Sequence, residues 1–348
     1  FDAVDTALSN LFEVDYPKQV TSDKSLVSAM HNAPDGFVKE VLESILAGRG
    51  DELPVSAFPV DGIFPTGTTQ YEKSGIADFI PIWDDENLCT QCNKCVAICP
   101  HAAIRAKVVT TAEIAGAPEG MKFVPAKGRP FTSEESYVLQ VSPEDCTGCD
   151  LCVEVCPAES KEIEGFKAIN MHKKIEFDVV ENKYWDYFID LPDYDRSALT
   201  ITNVKGSQFL EPLFEFSGAC SGCGETPYIK LLSQLYGDSI LIANATGCSS
   251  IYGGNLPTTP YRTNKFGRGP AWANSLFEDN AEFGLGMHLA VSKKHEMAVD
   301  LLKSIELLVG SELVDALLNN PEETEEQKEQ KIAQIQELKE TLRILDNS

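Results

Sequence analysis

The sequence predicts an α+β domain organised around two copies of a four-cysteine run, followed by part of an α/β domain. Three observations predict it. The run C-x2-C-x2-C-x3-C-P occurs at Cys89, Cys92, Cys95, Cys99 and Pro100 and again at Cys146, Cys149, Cys152, Cys156 and Pro157. The segment between the copies is punctuated by Pro118, Pro125, Gly128 and Pro130, residues that favour loop. Beyond residue 200, the apolar run Ile240, Leu241, Ile242, Ala243, set between Asp238 and Asn244, has the character of a buried strand in a parallel sheet.

Composition narrows the class. A chain of 348 residues that is 43% hydrophobic is long enough for two or three domains with ordinary buried cores. Fifty-four acidic against 29 basic residues give a net charge of -25, a field that repels nucleic acid and anionic membrane surfaces, so neither is expected as a partner. No apolar run approaches the length of a membrane span and no basic-then-apolar leader opens the sequence. Eleven cysteines at metal-like rather than disulfide-like spacings fit a reducing, cytoplasmic setting. The first residue is Phe1 rather than Met, which suggests one piece of a longer polypeptide.

Taken in order, residues up to about Gly50 read as helical, with apolar positions Leu8, Leu11 and Phe12, then Phe37, Val38, Val41, Leu42, Ile45 and Leu46 at three-to-four spacing, and Gly48 and Gly50 as the stop. Leu53 to Phe64, rich in Pro, Gly and Asp, reads as extended or turning linker. After the apolar run at 240 to 243 come glycine-rich turns and a long helical stretch from Ala281 to about Leu318. From Pro321 onward a charged helix lines Ile332, Ile335, Leu338, Leu342 and Leu345 on one face and reads as a surface helix.

The cysteine repeat carries the chemistry. Three thiolates spaced by three residues let one tight loop wrap a cubane, and the loop's backbone N-H groups reach its sulfurs. In ferredoxin-like two-cluster domains the fourth cysteine of each run ligates the other cluster. The expected sets are therefore Cys89, Cys92, Cys95 and Cys156, and Cys146, Cys149, Cys152 and Cys99. Four thiolates also suit tetrahedral zinc, but zinc sites usually pair two C-x2-C knuckles across a longer gap. Two soft-ligand clusters side by side make a one-electron relay. His101, directly after Pro100, reads as a packing or surface histidine and not a ligand.

Cys220 and Cys223 form a further C-x2-C framed by Gly218, Gly222 and Gly224, and Cys248 follows Gly247. Taken alone, these three fit a zinc knuckle, a redox dithiol, free thiols or an incomplete cluster site.

The stretch LPVSAFPVDGIFPTGTTQY (Leu53 to Tyr71), the paired cluster runs, GACSGCGETPY and ATGCSSIYGGNLPTTPY together resemble pyruvate:ferredoxin (flavodoxin) oxidoreductase in its fused, single-polypeptide form. The resemblance covers most of the chain and is weakest at residues 1 to 50 and in the charged tail. It implies that 1-27 ends a preceding domain, 28-70 is a helical linker, 71-185 is the two-cluster 4Fe-4S domain, and 186-348 begins a thiamine-diphosphate-binding α/β domain. It further implies that Cys220, Cys223 and Cys248 are three of four ligands of a third 4Fe-4S cluster near thiamine diphosphate, with Glu225 and Cys248 approaching that cofactor. No Gly-Asp-Gly occurs in the chain, so the Mg2+ ligands are expected elsewhere. The implied activity is oxidative decarboxylation of pyruvate with coenzyme A, electrons leaving to ferredoxin or flavodoxin, in a homodimer. A related 2-oxoacid oxidoreductase and a stand-alone electron-carrier module are the alternatives, and the isolated segment is expected to be inactive. Asn255, Thr258, Thr259, Tyr261 and Arg262 either shape an active-site mouth or simply pack a loop.

Overall fold

In the computed structural model, which describes residues 2-24, 28, 30, 33-254 and 257-346, the two cysteine runs adopt the same local path. Each passes through two left-handed residues, Gln91 and Asn93 (φ 55° and 58°) in the first and Gly148 and Asp150 (φ 66° and 65°) in the second. Each then enters a short helix, Lys94–Ile98 or Leu151–Glu154. Spacing of three between thiols is thus converted into a tight loop, not a helix face.

The helices are α1 Asp2–Ser9, α2 Glu43–Leu46, α3 Lys94–Ile98, α4 Thr111–Ile114, α5 Leu151–Glu154, α6 Lys174–Asp190, α7 Val204–Ser207, α8 Thr226–Tyr236, α9 Cys248–Gly253, α10 Asn280–Ser304, α11 Glu306–Val309, α12 Ser311–Asn319 and α13 Glu325–Asp346. The strands are β1 Phe79–Ile82, β2 Ile104–Thr110, β3 Val124–Pro125, β4 Glu135–Val141, β5 Asn170–Lys173, β6 Leu241–Ala245 and β7 Ala271–Ser275. β1, before the first cysteine run, pairs antiparallel with β5, after the second, from Phe79↔Lys173 to Ile82↔Asn170. This closes the two-cluster unit on itself.

The segment between the runs is more than the loop expected. β2 and β4 pair antiparallel from Ile104↔Val141 to Thr110↔Glu135, and β3 lies on the far edge of β4. Proline and glycine break only the chain around β3. The hairpin is buried on both faces, which removes the polar alternation by which a strand is usually recognised. One face, with Ile104, Ala106, Val108, Tyr137, Leu139 and Val141, packs on the cysteines. The other, with Val109 and Val138, packs under Trp185 and Phe188 of α6. Leu199, Phe209 and Leu210 join the first core.

Near the start, α1 ends before Leu11 and Phe12, which are exposed, so the helical reading fails there. The second helix forms as expected: a π turn, Val38–Leu42, runs into α2, and Gly48 stops it at φ 72°. Residues 53-64 are turning chain with one 3-10 turn, Val55–Ala57. Gly67 and Thr68 donate backbone N-H groups to the carbonyls of Tyr261 and Thr259, which ties the linker to the later loop.

In the C-terminal part β6 and β7 pair in parallel, Leu241↔Ala271 to Ala245↔Ser275, but the strand is not buried, since Leu241 is 47% exposed. The long helical stretch is three helices, interrupted at Ile305 and at Gly310 (φ 96°). α13 packs on α12 at one end, where Lys331 bonds the Leu317 carbonyl, and Ile332, Ile335, Leu342 and Leu345 remain more than a third exposed, as a surface helix requires. Among the described residues no helix is long and apolar enough to cross a membrane.

Candidate iron-sulfur centres

The folded chain sorts the eight repeat cysteines into two sets that interleave the runs. Cys89, Cys92, Cys95 and Cys156 line one cavity, together with Trp83, Tyr137, Leu139 and Ile169. Cys99, Cys146, Cys149 and Cys152 line another, with Pro81, Ile104, Val141 and Met171. The hollows enclose about 330 and 380 Å³ of non-atom space respectively, partly open to solvent. In each, the fourth cysteine comes from the other run, the arrangement expected for a pair of cubanes. Among the described residues no three ligating side chains converge on a single ion-sized point.

Backbone donors are matched in the two loops. Gln91 N-H donates to Cys89 Sγ at 3.4 Å and Gly148 N-H donates to Cys146 Sγ at 3.4 Å. Such contacts favour the anionic form of sulfur. The left-handed residues of the first loop are not glycines, and each costs roughly 1 to 3 kcal/mol unless its surroundings fix it. Here they do. Gln91 donates its amide to the Pro125 carbonyl (2.9 Å) and accepts from Lys127 N-H (2.8 Å), while Asn93 bonds the Lys205 carbonyl and accepts from Tyr137 O-H, both at 2.9 Å.

Electrostatics define what the cages can hold. Burial, then the neighbouring thiols, push Cys95 and Cys152 far above the usual thiol range, and burial pushes Cys146 up to about 12. For Cys95 those neighbours are Cys89, Cys92 and Cys156, and for Cys146 they are Cys99 and Cys149. Buried thiols so placed ionise only against a multivalent cation, so the donor sets fit iron.

The third motif repeats part of this geometry. Gly222, two residues after Cys220, is left-handed at φ 72°, as Gln91 follows Cys89 and Gly148 follows Cys146. The Cys220 loop leans on the second cage: Ser221 Oγ donates to the Thr147 carbonyl (3.1 Å), and a Cβ at Gly222 would lie 3.7 Å from Cys149 Cβ. His101 is buried beside Cys99, with Nδ1 3.0 Å from the Ser217 carbonyl, the packing role expected of it; burial holds its pKa below the ordinary value. Cys220 and Cys248 are exposed and Cys223 is partly buried, with Cys248 at the first residue of α9.

Glu225 is the residue before α8, next to that loop, and makes no side-chain capping hydrogen bond. The hydroxyl of buried Tyr252, on α9, faces the Glu225 carboxylate. Burial first, then the facing Glu225 carboxylate, push the phenols of Tyr252 and Tyr261 upward. Of the 255-262 motif, Thr258 donates to Glu72 (2.8 Å), Thr259 N-H to Thr68 (2.8 Å), Tyr261 packs on Phe214, and Arg262 pairs with Glu211 and Glu215. These are the contacts of a packed loop. Asn255 lies outside the described residues.

Three residues carry weight that no spacing signalled. Glu215, 2% exposed, lies between Arg105 and Arg262, and Arg105 also stacks on Trp185 and Phe216. Burial would raise this carboxyl, but the guanidinium of Arg105 and then that of Arg262 outweigh it and hold it below its ordinary value. Lys230, 1% exposed, and Lys167 direct their ammonium groups at backbone carbonyls of the cage helices.

Residues 88–160, which carry the paired cages, match the 4Fe-4S dicluster domain family, and residues 23–77 match a domain of unknown function, EKR. The chain is similar to pyruvate-flavodoxin oxidoreductase of Nostoc (52% identity over 93% of this chain and 27% of that protein). It is similar to the same enzyme of Rhodospirillum rubrum (52% over 94% and 27%) and to pyruvate:ferredoxin oxidoreductase of Moorella thermoacetica (50% over 89% and 26%). The chain is thus similar to part of these oxidoreductases and spans less than a third of the length of these relatives.

Proposed function

We propose that this chain is the electron-relay segment of a pyruvate:flavodoxin (ferredoxin) oxidoreductase. Cys89, Cys92, Cys95 and Cys156 hold one 4Fe-4S cluster and Cys146, Cys149, Cys152 and Cys99 a second. Cys220, Cys223 and Cys248, with a fourth ligand from elsewhere, hold a third. The observation that carries the reading is the contact of the Cys220 loop with the Cys149 loop, beside the interleaved cages. It gives the relay an order: the Cys220 cluster first, the Cys149 cluster next, the Cys92 cluster last.

In the parent reaction pyruvate and coenzyme A yield acetyl-CoA, carbon dioxide and two electrons. Thiamine diphosphate supplies the carbanion stabilisation that decarboxylation requires. The residues here that would face it are Glu225 and Cys248, with the Tyr252 hydroxyl beside Glu225. Mg2+ takes its ligands outside this chain. The protein's own contribution is to fix the thiols, donate N-H groups to sulfur and keep water from the cages. Domain limits of 71-185 for the relay and 186-348 for the start of the thiamine-binding domain fit the two-stranded β6-β7 sheet and the unburied α10, which leave apolar surface for further structure to cover. A soluble homodimer that passes electrons to flavodoxin or ferredoxin completes the reading.

Iron and sulfide analysis with EPR of dithionite-reduced, anaerobically purified protein tests it. Fewer than eight irons per chain would refute the paired cages. In the whole enzyme, Cys223→Ala should block electron exit after decarboxylation while Cys92→Ala slows only the reduction of the carrier. Normal turnover in Cys223→Ala would remove the third cluster from the relay.

A further inference from the structure

The two cage helices are capped alike at their C-termini. On α5, Lys167 Nζ bonds the carbonyls of Val153 (2.8 Å) and Glu154 (3.2 Å), one and two residues after Cys152. On α3, Lys230 Nζ bonds the carbonyls of Val96, Ala97 (3.1 Å) and Cys99 (3.2 Å), the first two again one and two residues after the third cysteine, Cys95. The same backbone positions of the two runs thus each receive an ammonium group. The lysines come from unrelated places: Lys167 follows the second run by eleven residues, whereas Lys230 lies on α8, beyond the Cys220 loop. Their surroundings differ too. Lys167 is partly buried, whereas Lys230 is 1% exposed and, among the described residues, pairs with no carboxylate.

A lysine at a helix C-terminus satisfies carbonyls and the helix dipole, and that much is structural. A surface position would serve for it. A desolvated cation costs several kcal/mol unless nearby charge compensates it. Burial lowers the Lys230 ammonium to about 8, with Arg105 adding to the fall, and the charges that hold it up are the thiolates of Cys99, then of Cys95. These two belong to different cages, so one ammonium faces both.

We infer that Lys230 is a buried fixed charge that raises the reduction potentials of both ferredoxin-type clusters, and that Lys167 is its solvent-screened counterpart with a smaller effect. The inference rests on the cluster assignment proposed above. Reduction adds one electron to an already anionic thiolate cage, and a cation beside it in low dielectric stabilises the reduced form more than the oxidised. The screening of Lys167 by water weakens the same interaction. The charge comes from the segment after the Cys220 loop, so potentials would depend on that segment being docked.

The experiment is an EPR-monitored redox titration of the whole purified polypeptide, with iron and sulfide counted first. Lys230→Gln keeps hydrogen-bond donors and removes the charge. It should lower the one-electron reduction equilibrium of the clusters about tenfold, which is about 59 mV, with the Cys99 cluster affected at least as much as its neighbour. Lys230→Arg should restore the wild-type value, and Lys167→Gln should shift it less than about threefold. Unchanged potentials in Lys230→Gln with a full iron count, or an equal shift in Lys230→Arg, would overturn the inference. So would loss of both clusters in Lys230→Gln and Lys230→Met alike, which would make the role purely structural. A wild-type count below eight irons would instead refute the cluster assignment beneath it.

Discussion

Replacing Glu215 by Gln tests what holds the paired cysteine cages to the rest of the chain. The carboxylate accepts from Arg105, on β2 behind the cages, and from Arg262 (3.2 Å to each oxygen), in the loop before β7. At 3.2 Å and an effective dielectric of 20 one such attraction is on the order of 5 kcal/mol before desolvation is subtracted. Breaking a buried pair from one side costs about 3 to 5 kcal/mol net, because the partner charge stays buried. Arg105 is the group stranded, at 8% side-chain exposure. At about 2 °C per kcal/mol for a chain of this size, the melting midpoint should fall by about 6 to 10 °C. Anaerobic thermal denaturation followed by far-UV circular dichroism reads it. The pH dependence supplies a second check. The folded carboxyl lies below its ordinary value of 4.5, so its stabilisation is complete above that value and lost as pH falls through the lower, folded one. Glu215→Gln should therefore flatten the acid limb of the stability profile below about pH 4.5 while lowering the neutral plateau. A shift under 2 °C at pH 7, with the acid limb intact, would refute the reasoning.

Three further outcomes are expected. Gly222→Ala places a side chain on a left-handed residue against Cys149, so iron at the proposed Cys220 site should drop while the eight repeat cysteines keep theirs, measured by iron content and EPR. Asn93→Leu removes the partner of the buried Tyr137 hydroxyl and the anchor to Lys205, which should cost about 1 to 3 kcal/mol and speed loss of the Cys92 cluster to a ferrous chelator, followed at 400 nm. Complete iron removal should loosen the cages: residues 88–160 should become the first site of protease cleavage, since burial then favours protonated thiols and the metal's contribution to folding is gone.

The repeat determined most of the paired cages by itself. C-x2-C-x2-C-x3-C-P is local, and its three-residue spacing dictates a loop that turns three thiols to one side; the exchange of the fourth cysteine between runs, Cys99 or Cys156, was expected from two-cluster ferredoxins and not from spacing. The family's motifs likewise marked Cys220, Cys223 and Glu225 from consecutive residues. What the sequence misjudged were elements whose pattern depends on neighbours. β2 and β4 hide their alternation because both faces are covered, and Leu241 sits in an apolar strand that this chain leaves half open. Tertiary structure alone decided that the Cys220 loop rests on Cys149, that Arg105, Glu215 and Arg262 meet, and that Lys230 reaches the Cys99 carbonyl from 131 residues away. The physical reason is range. Metal ligation by a loop is written in neighbouring residues, whereas the charges that surround it are set by which distant segments fold against it, and no spacing rule records that.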